Sequence, residues 1–235
     1  MNEDRDLLTT RRDSLVKAGG LLVAALGAKS VLTGGAAAAT EGTGPAAVAS
    51  GALTCVLTPE LTEGPFYVPG EKVRRNITEG RPGTPLTLKL KVVNASTCRA
   101  IKGAAVDIWH ADAGGTYSGV QDSVGTTFMR GIQPTDAKGV AEFLTVYPGW
   151  YQGRAVHVHV KVHLGGNVVH TGQLFFPDAL TDAVYRAAPY NTRGARDTRN
   201  ANDSIYVNGG KRSMLALSRS GSGYVGTIAM GVHRS

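Results

Sequence analysis

The sequence predicts an all-β fold, a two-sheet β-sandwich with long loops and little helix. Three observations predict it: short segments alternate apolar and polar residues, turn residues separate these segments, and no long stretch repeats apolar residues at the helical period. The 235 residues include 31 glycines and 10 prolines, which is typical of short strands joined by turns. A chain of this length forms one ordinary domain with room for an appendage.

Composition excludes several classes of protein. Hydrophobic residues make up 42% of the chain and charged residues 18%, which excludes wholesale disorder and a multi-span membrane protein. The formal net charge is +7, yet no run of lysine and arginine is longer than two residues, so we expect no nucleic-acid partner. Two cysteines are too few for a thiolate zinc cluster or an iron–sulfur centre.

Residues 1–39 have the three-part layout of an export signal. Arg11 and Arg12 precede an apolar stretch over residues 18–28, and small residues at 34–39 follow it. The arginine pair resembles a twin-arginine signal. The apolar stretch is shorter than the ~20 residues that a membrane-spanning helix needs. We therefore expect export by the twin-arginine route to the periplasm, the cell surface or the medium, with no stable membrane span after cleavage.

The rest of the chain divides into a lead-in and one folded domain. Residues 40–52 are mostly Ala, Gly, Thr and Ser, which predicts a flexible lead-in, and residues 53–235 form the folded domain. After export, Cys55 and Cys98 meet an oxidising compartment. A disulfide between them is expected, and two buried thiols are the alternative.

Alternation of side chains defines the strands of the folded domain. Residues 86–93 alternate apolar and polar side chains, as a half-buried strand should. A short helix over residues 178–188 is expected after Pro177. The other predicted strands cover residues 104–110, 139–146, 156–164, 168–176, 214–217 and 223–232.

The predicted strand over residues 156–164 carries histidines on one face. Its even-numbered positions are four valines and a leucine, and these form a wholly apolar face. His157 and His159 lie on the opposite face, side by side and close enough to share one metal ion. A lone His-x-His pattern is a weak indicator, but here the apolar face already occupies the core side. The histidine face therefore needs another reason to exist.

The neighbouring residues indicate which metal such a pair would bind. No cysteine lies close by, and a ferrous site with two histidines and one carboxylate would need an aspartate from a distant segment. The nearby candidates are tyrosines: Tyr117 and Tyr151, with Tyr147 as the alternative to Tyr151. Phenolate is a hard anionic oxygen donor, and coordination overcomes its usual pKa of about 10. This donor set favours a hard trivalent ion such as Fe(III).

Four motifs carry a resemblance to a known family. They are residues 57–67 (LTPELTEGPFY), residues 103–110 (GAAVDIWH), Gly-x-Tyr-Ser around Tyr117, and Pro-Gly-Trp-Tyr-x-Gly-Arg-x-x-His-x-His over residues 148–159. Together they make the chain resemble the intradiol ring-cleaving dioxygenases, which include catechol, protocatechuate and hydroxyquinol dioxygenases. The resemblance covers about residues 55–233 and is greatest to the exported, single-domain branch.

The resemblance implies a site and a cofactor, with residues 53–235 as the catalytic domain. It implies one non-haem Fe(III) per chain, with Tyr151 also taking part in catalysis as the axial tyrosinate that leaves the metal. Arg154 matches the arginine that faces the substrate, and Gln173 matches a glutamine near the dioxygen pocket. The implied metal ligands are Tyr117, Tyr151, His157 and His159.

The implied reaction inserts both atoms of O2 into a catechol-type aromatic diol. The ring opens between the two hydroxylated carbons and gives a cis,cis-muconate-type diacid. The partners are then the diol and O2. A homodimer is possible, and the oligomeric state is left open because the family's helical dimerisation segment is missing. The alternative function is a secreted transthyretin-like β-sandwich that binds or carries ligands without catalysis. A ferrous oxygenase with a double-stranded β-helix is a third option. Neither accounts for two tyrosines and His-x-His at this spacing.

Overall fold

Two four-stranded β-sheets face each other in the described part of the chain, residues 57–233. This computed structural model has eight strands and only short helices there, which confirms the predicted all-β sandwich. The predicted export signal at 1–39 and lead-in at 40–52 lie outside the described residues and stay predictions. Cys98 is disulfide-bonded, whereas Cys55 lies outside the described residues, so the expected pairing stays a prediction as well.

The first sheet builds one wall of the core. Its strands are β1 at Pro85–Asn94, β4 at Val140–Val146, β7 at Ala216–Ser220 and β8 at Gly223–Val232. Their order is β4-β1-β8-β7, and β1 pairs antiparallel with β4 and parallel with β8. Leu88 and Leu90 of β1 are fully buried, whereas Lys89 and Lys91 are exposed, as the alternation predicts.

The second sheet carries the histidine strand near its middle. Its strands are β2 at Ala105–Trp109, β3 at Arg130–Pro134, β5 at His157–Leu164 and β6 at Asn167–Phe175. Their order is β3-β2-β5-β6, and every pairing in this sheet is antiparallel. Val158, Val160 and Val162 of β5 are fully buried in the core between the sheets. The opposite face of β5 is therefore the one that displays the histidines.

Residues 58–74, here called the covering segment, lie over this second face. Leu61 donates its backbone N–H to Thr171 O of β6 at 3.0 Å, and Arg74 donates its backbone N–H to Ile132 O of β3 at 3.0 Å. Because β6 and β3 are the two edge strands, the segment crosses the whole sheet. The histidine face is thus enclosed between the second sheet and the covering segment.

Two predicted elements differ from the structure because of tertiary contacts. The strand predicted at 214–217 is wrong at its start: β7 begins at Ala216, since Met214 forms an isolated bridge with Phe175 of the other sheet. Strand β3 was not predicted, because its five residues contain a glycine and a proline and show no alternation.

The helices are short and lie beyond β6. The predicted helix at 178–188 is too long: α1 covers Asp178–Val184, and the chain before Pro189 leaves the helical conformation. A second helix, α2, covers Ser204–Asn208 and begins after the capping residue Asp203. No helix in residues 57–233 has the length and hydropathy to span a bilayer.

Candidate metal centre

His157 and His159 point their ring nitrogens at each other on the polar face of β5. Their Nε2 atoms are 3.0 Å apart, and the two rings are nearly perpendicular. Burial, the neighbouring Arg154 and other charges lower the pKa of His157 to about 3. Burial and the adjacent His157 hold the pKa of His159 well below its usual range. Both rings are therefore neutral at pH 7, and each keeps a nitrogen lone pair that can bind a metal.

The tautomer of His157 follows from a backbone contact. Its Nδ1 lies 2.6 Å from the carbonyl oxygen of Ala155, which can only accept, so the proton is assigned to Nδ1. The Nε2 lone pair then faces the site. Metal-binding histidines usually donate their other N–H in this way.

Two tyrosines complete the cluster. The hydroxyl of Tyr151 is 3.2 Å from Nε2 of His157. The ring of Tyr117 is 5.5 Å from that of Tyr151 and 6.0 Å from that of His159, centroid to centroid. Tyr117 is 5% exposed, and its hydroxyl has no hydrogen-bond partner among the described residues. Four side chains that were predicted as ligands therefore lie together in one buried cluster.

The donor set fits a trivalent cation. Burial and the neighbouring Tyr151 raise the pKa of Tyr117 far above its usual range, so without a cation this phenol stays protonated. A cation would pair the hydroxyl of Tyr117 and both facing Nε2 atoms, and two phenolates would offset most of the charge of Fe(III). In residues 57–233, no three His, Cys, Asp or Glu side chains converge on a metal-binding point. A metal at this cluster therefore needs the tyrosines.

The ring of His159 is held between two neighbours. Trp109 of β2 stacks on it at 4.9 Å with an interplanar angle of 7°. Gly64 of the covering segment approaches it closely: a Cβ at this position would lie 3.1 Å from Cε1 of His159, and the φ angle is +75°. These contacts leave the ring little freedom to rotate.

Arg154 and Gln173 border the cluster. The Nη1 of Arg154 is 3.5 Å from the hydroxyl of Tyr151, and its Nη2 donates to Oε1 of Gln173. Gln173 in turn donates from Nε2 to the carbonyl oxygen of Thr62 at 2.8 Å. Phe66 lies against both tyrosine rings, 4.6 Å from that of Tyr117. The site therefore has a cation, an amide and an aromatic wall beside the predicted ligands.

The alternative tyrosine lies elsewhere. Tyr147 is fully buried in the core between the sheets, and its hydroxyl is 2.8 Å from that of Thr181. It is not part of the cluster, so Tyr151 is the tyrosine before His157 that can serve as a ligand. His110 is also buried apart from the site, with its ring nitrogens bonded to Ala111 and Thr145.

Sequence reasoning missed a buried arginine behind Tyr117. Arg130 is 1% exposed, and its Nε donates to the carbonyl oxygen of Ser118 at 3.0 Å. Its Nη1 is 3.4 Å from Oε1 of Glu71 in the covering segment. Arg130 thus ties the loop that carries Tyr117 to β3 and to the cover. An arginine inside the largely apolar stretch around Phe128 was the available signal.

A second missed network lies further along the sheet. The hydroxyl of Tyr67 donates to Oδ2 of Asp107 at 3.2 Å, and its ring contacts Trp109 at 4.9 Å. The ammonium group of Lys161 lies 3.6 Å from the centre of the same ring. Burial, followed by the charge of Glu71, raises the pKa of Asp107 to about 7. Tyr67 therefore supports Trp109, which supports His159.

Tyr117→Phe is expected to stabilise the metal-free protein by about 1 kcal/mol, because it removes a buried hydroxyl without a partner. Urea unfolding of the metal-free protein measures this. The matched control is Tyr190→Phe, since the hydroxyl of Tyr190 donates to Tyr147 O at 2.7 Å and accepts from Thr84 N at 3.0 Å. The control should destabilise. Equal destabilisation by both variants would show that the Tyr117 hydroxyl is satisfied.

Comparison with known proteins gives the chain a family. A family model described as a dioxygenase matches residues 62–204, more than half of the chain. Chlorocatechol 1,2-dioxygenase of Pseudomonas putida is 27% identical over 135 residues, which cover 48% of this chain and 52% of that protein. The chain spans about half the length of the curated relatives it matches.

Solved structures extend the match to most of the described residues. An intradiol ring-cleavage dioxygenase from Tetranychus urticae is 34% identical with a TM-score of 0.73, covering 76% of this chain and 95% of that one. The dioxygenase domain of a carbohydrate-binding fusion protein from Streptomyces sp. SirexAA-E is 29% identical with a TM-score of 0.60, covering 76% and 99%. With the family model over residues 62–204, these matches show that the chain belongs to the intradiol ring-cleavage dioxygenase family.

Proposed function

We propose that this protein is a non-haem Fe(III) dioxygenase for catechol-type aromatic diols. It inserts both atoms of O2 and opens the ring between the two hydroxylated carbons, giving a cis,cis-muconate-type diacid. One observation carries the proposal: two neutral imidazoles and two phenols meet in a buried cluster beside the cation of Arg154. Family membership supplies the reaction class, and the cluster supplies a donor set that fits the metal.

The ligands proposed for one Fe(III) per chain differ in burial. Tyr117 is 5% exposed, while Tyr151 is more accessible at the edge of the cluster. When bound, Fe(III) supplies a Lewis acid that binds the diol oxygens and draws electron density from the ring. His157, His159 and Tyr117 are enclosed by the sheet and the cover, so these three would hold the metal. Tyr151 is the ligand with room to move.

Tyr151 is placed to accept a proton. Burial raises the pKa of its phenol, while the charge of Arg154 lowers it. The phenolate of Tyr151 would help to hold the metal and is a strong base, so its oxygen would accept the proton of a substrate hydroxyl. Nη1 of Arg154 lies 3.5 Å from that oxygen, so the guanidinium group is close to the site of proton transfer. The phenol then remains beside the bound diol.

Arg154 and Gln173 act on the substrate side. Arg154 carries a guanidinium cation, so it would stabilise negative charge that develops on the ring and its oxygens. Its Nη2 holds Oε1 of Gln173, and Thr62 O holds the amide nitrogen, so the amide has a fixed orientation. We propose that this amide borders the space that O2 enters.

We propose that the reaction occurs outside the cytoplasm. The arginine pair and apolar stretch of residues 1–39 support export by the twin-arginine route, to the periplasm, the cell surface or the medium. The substrate is then a diol met outside the cytoplasm. A transthyretin-like carrier has no use for the buried donor cluster, and no contact in the described residues favours that function.

Isotope labelling tests the reaction itself. The purified, Fe(III)-loaded protein is given catechol under 18O2, and the acyclic product is analysed by mass spectrometry. The proposal predicts a diacid that carries both labelled oxygen atoms. A ring-opened product with one or no labelled oxygen, or no consumption of catechol and other diols, would contradict it.

His157→Ala and His159→Ala should each weaken Fe(III) binding by more than about 100-fold, since even residues that only support metal ligands contribute 10- to 100-fold. Iron content after gel filtration measures this. His163→Ala is the matched control, because His163 lies on the same strand beyond an irregularity in the pairing. Full iron content in either of the first two variants would remove that histidine from the site.

Tyr151→Phe should keep its iron and lose roughly a hundredfold or more in kcat, because it removes the proton acceptor. Steady-state kinetics and iron content measure the two effects separately. Tyr147→Phe is the control, since its hydroxyl bonds Thr181 in the core. Unchanged kcat in Tyr151→Phe, or an equal loss in the control, would contradict the role given to Tyr151.

A further inference from the structure

The carboxylate of Asp203 joins two parts of the chain at the edge of the site. The residue is 1% exposed and precedes α2. Its Oδ1 accepts from the backbone N–H of Ile205 at 2.8 Å and of Tyr206 at 3.1 Å, which caps the helix. Its Oδ2 accepts from Nε of Arg154 at 2.9 Å and from the backbone N–H of Ala155 at 2.8 Å. All four hydrogen bonds are well formed, so this carboxylate has one defined orientation.

The contact to Arg154 fixes the direction of the guanidinium group. A guanidinium is planar, so holding it at Nε and at one Nη sets the plane of the whole group. Asp203 holds Nε and Gln173 holds Nη2, which leaves Nη1 directed at the hydroxyl of Tyr151. Without the carboxylate, the side chain would lose its only charged anchor among the contacts described here.

The contact to Ala155 reaches a predicted metal ligand. Oδ2 of Asp203 holds the N–H of Ala155, and the carbonyl oxygen of Ala155 lies 2.6 Å from Nδ1 of His157. One carboxylate oxygen thus anchors both the arginine and the backbone that sets the histidine tautomer. In residues 154–157, Asp203 therefore orients both functional side chains, those of Arg154 and His157.

The charge on Asp203 persists in the buried position. Burial acts to raise the pKa of this carboxyl, but the N–H of Ala155 and the charge of Arg154 outweigh it and hold the pKa below its usual range. The ion pair is therefore intact at neutral pH. A charge-assisted pair of this kind is stronger than a neutral hydrogen bond.

We propose that Asp203 is a positioning residue for ring cleavage, because it holds Arg154 and, through Ala155, His157 in the orientations that the reaction needs. The kinetic part rests on the proposed function, whereas the contact itself does not. Asp203 touches neither the predicted metal ligands nor the hydroxyl of Tyr151, so it acts through its neighbours.

Asp203→Asn tests the role with little change in shape. Asparagine caps helices as well as aspartate does, so the fold is expected to survive. With equal iron content, kcat/KM for catechol should fall roughly ten- to a hundredfold, as expected for loss of a charged hydrogen bond. Asp197→Asn is the matched control, because Asp197 accepts from Gly153 N at 3.1 Å in the same turn without contacting Arg154. The control should keep the wild-type value.

A double variant separates positioning from general damage. Because Asp203 acts in part through Arg154, the loss in kcat/KM for Arg154→Lys combined with Asp203→Asn should be smaller than the product of the two single losses. Multiplied losses in the double variant would overturn the proposal. So would wild-type kcat/KM in Asp203→Asn, or the same loss in Asp197→Asn.

Hydrogen exchange in the metal-free, full-length protein measures the contact independently of activity. The Nε–H of Arg154, assigned in 1H–15N spectra by its loss in Arg154→Lys, should exchange slowly in wild type and in Asp197→Asn and rapidly in Asp203→Asn. Exchange in wild type as fast as that of the exposed Arg186 would overturn the proposal, even if Asp203→Asn fails to fold. A wild-type protein that protects this proton yet cleaves no diol would overturn the proposed function and leave the contact standing.

Discussion

Everything at this site depends on the alternation of side chains along β5. Val158, Val160 and Val162 fill the core between the sheets, so His157 and His159 must face the other way. The antiparallel register then places Trp109 of β2 and Gln173 of β6 directly beside His159. A shift of one residue would put the histidines into the core and the valines under the cover. The hydrophobic driving force on one face of a strand therefore positions the chemistry on the other.

Without a bound cation, the proposed metal-binding cluster lowers the stability of the fold. Tyr117 keeps a buried hydroxyl that has no hydrogen-bond partner among the described residues. Such groups oppose folding, and they persist because the strands and the covering segment over-determine their positions. Arg130 holds the loop that carries Tyr117 by a hydrogen bond to Ser118 O, and Asp203 holds Arg154 by a buried ion pair. The hydroxyl that weakens the metal-free fold belongs to the donor set of the proposed Fe(III) site.

Local pattern predicts the strands and the ligands, but not the contacts that support them. The alternation along residues 86–93 and 156–164 depends on which face is buried, so it is visible in the sequence. Tyr117 and Tyr151 were predicted from short motifs and lie in the cluster. Asp203, in contrast, is 49 residues from Arg154, and in the sequence it has only the appearance of a helix cap. Strand β3 escaped prediction for a similar reason, because its pairing with β2 and not its composition makes it a strand.

The visible spectrum of the purified protein, recorded before and after anaerobic addition of catechol, decides whether tyrosines bind Fe(III) at this site. Phenolate bound to Fe(III) absorbs strongly in the visible range through charge transfer, and a bound diol adds its own transition. We expect a coloured Fe(III)-loaded protein whose absorption band shifts when catechol binds. A protein that stays colourless after reconstitution with Fe(III) would contradict the tyrosine ligands and, with them, the proposed function.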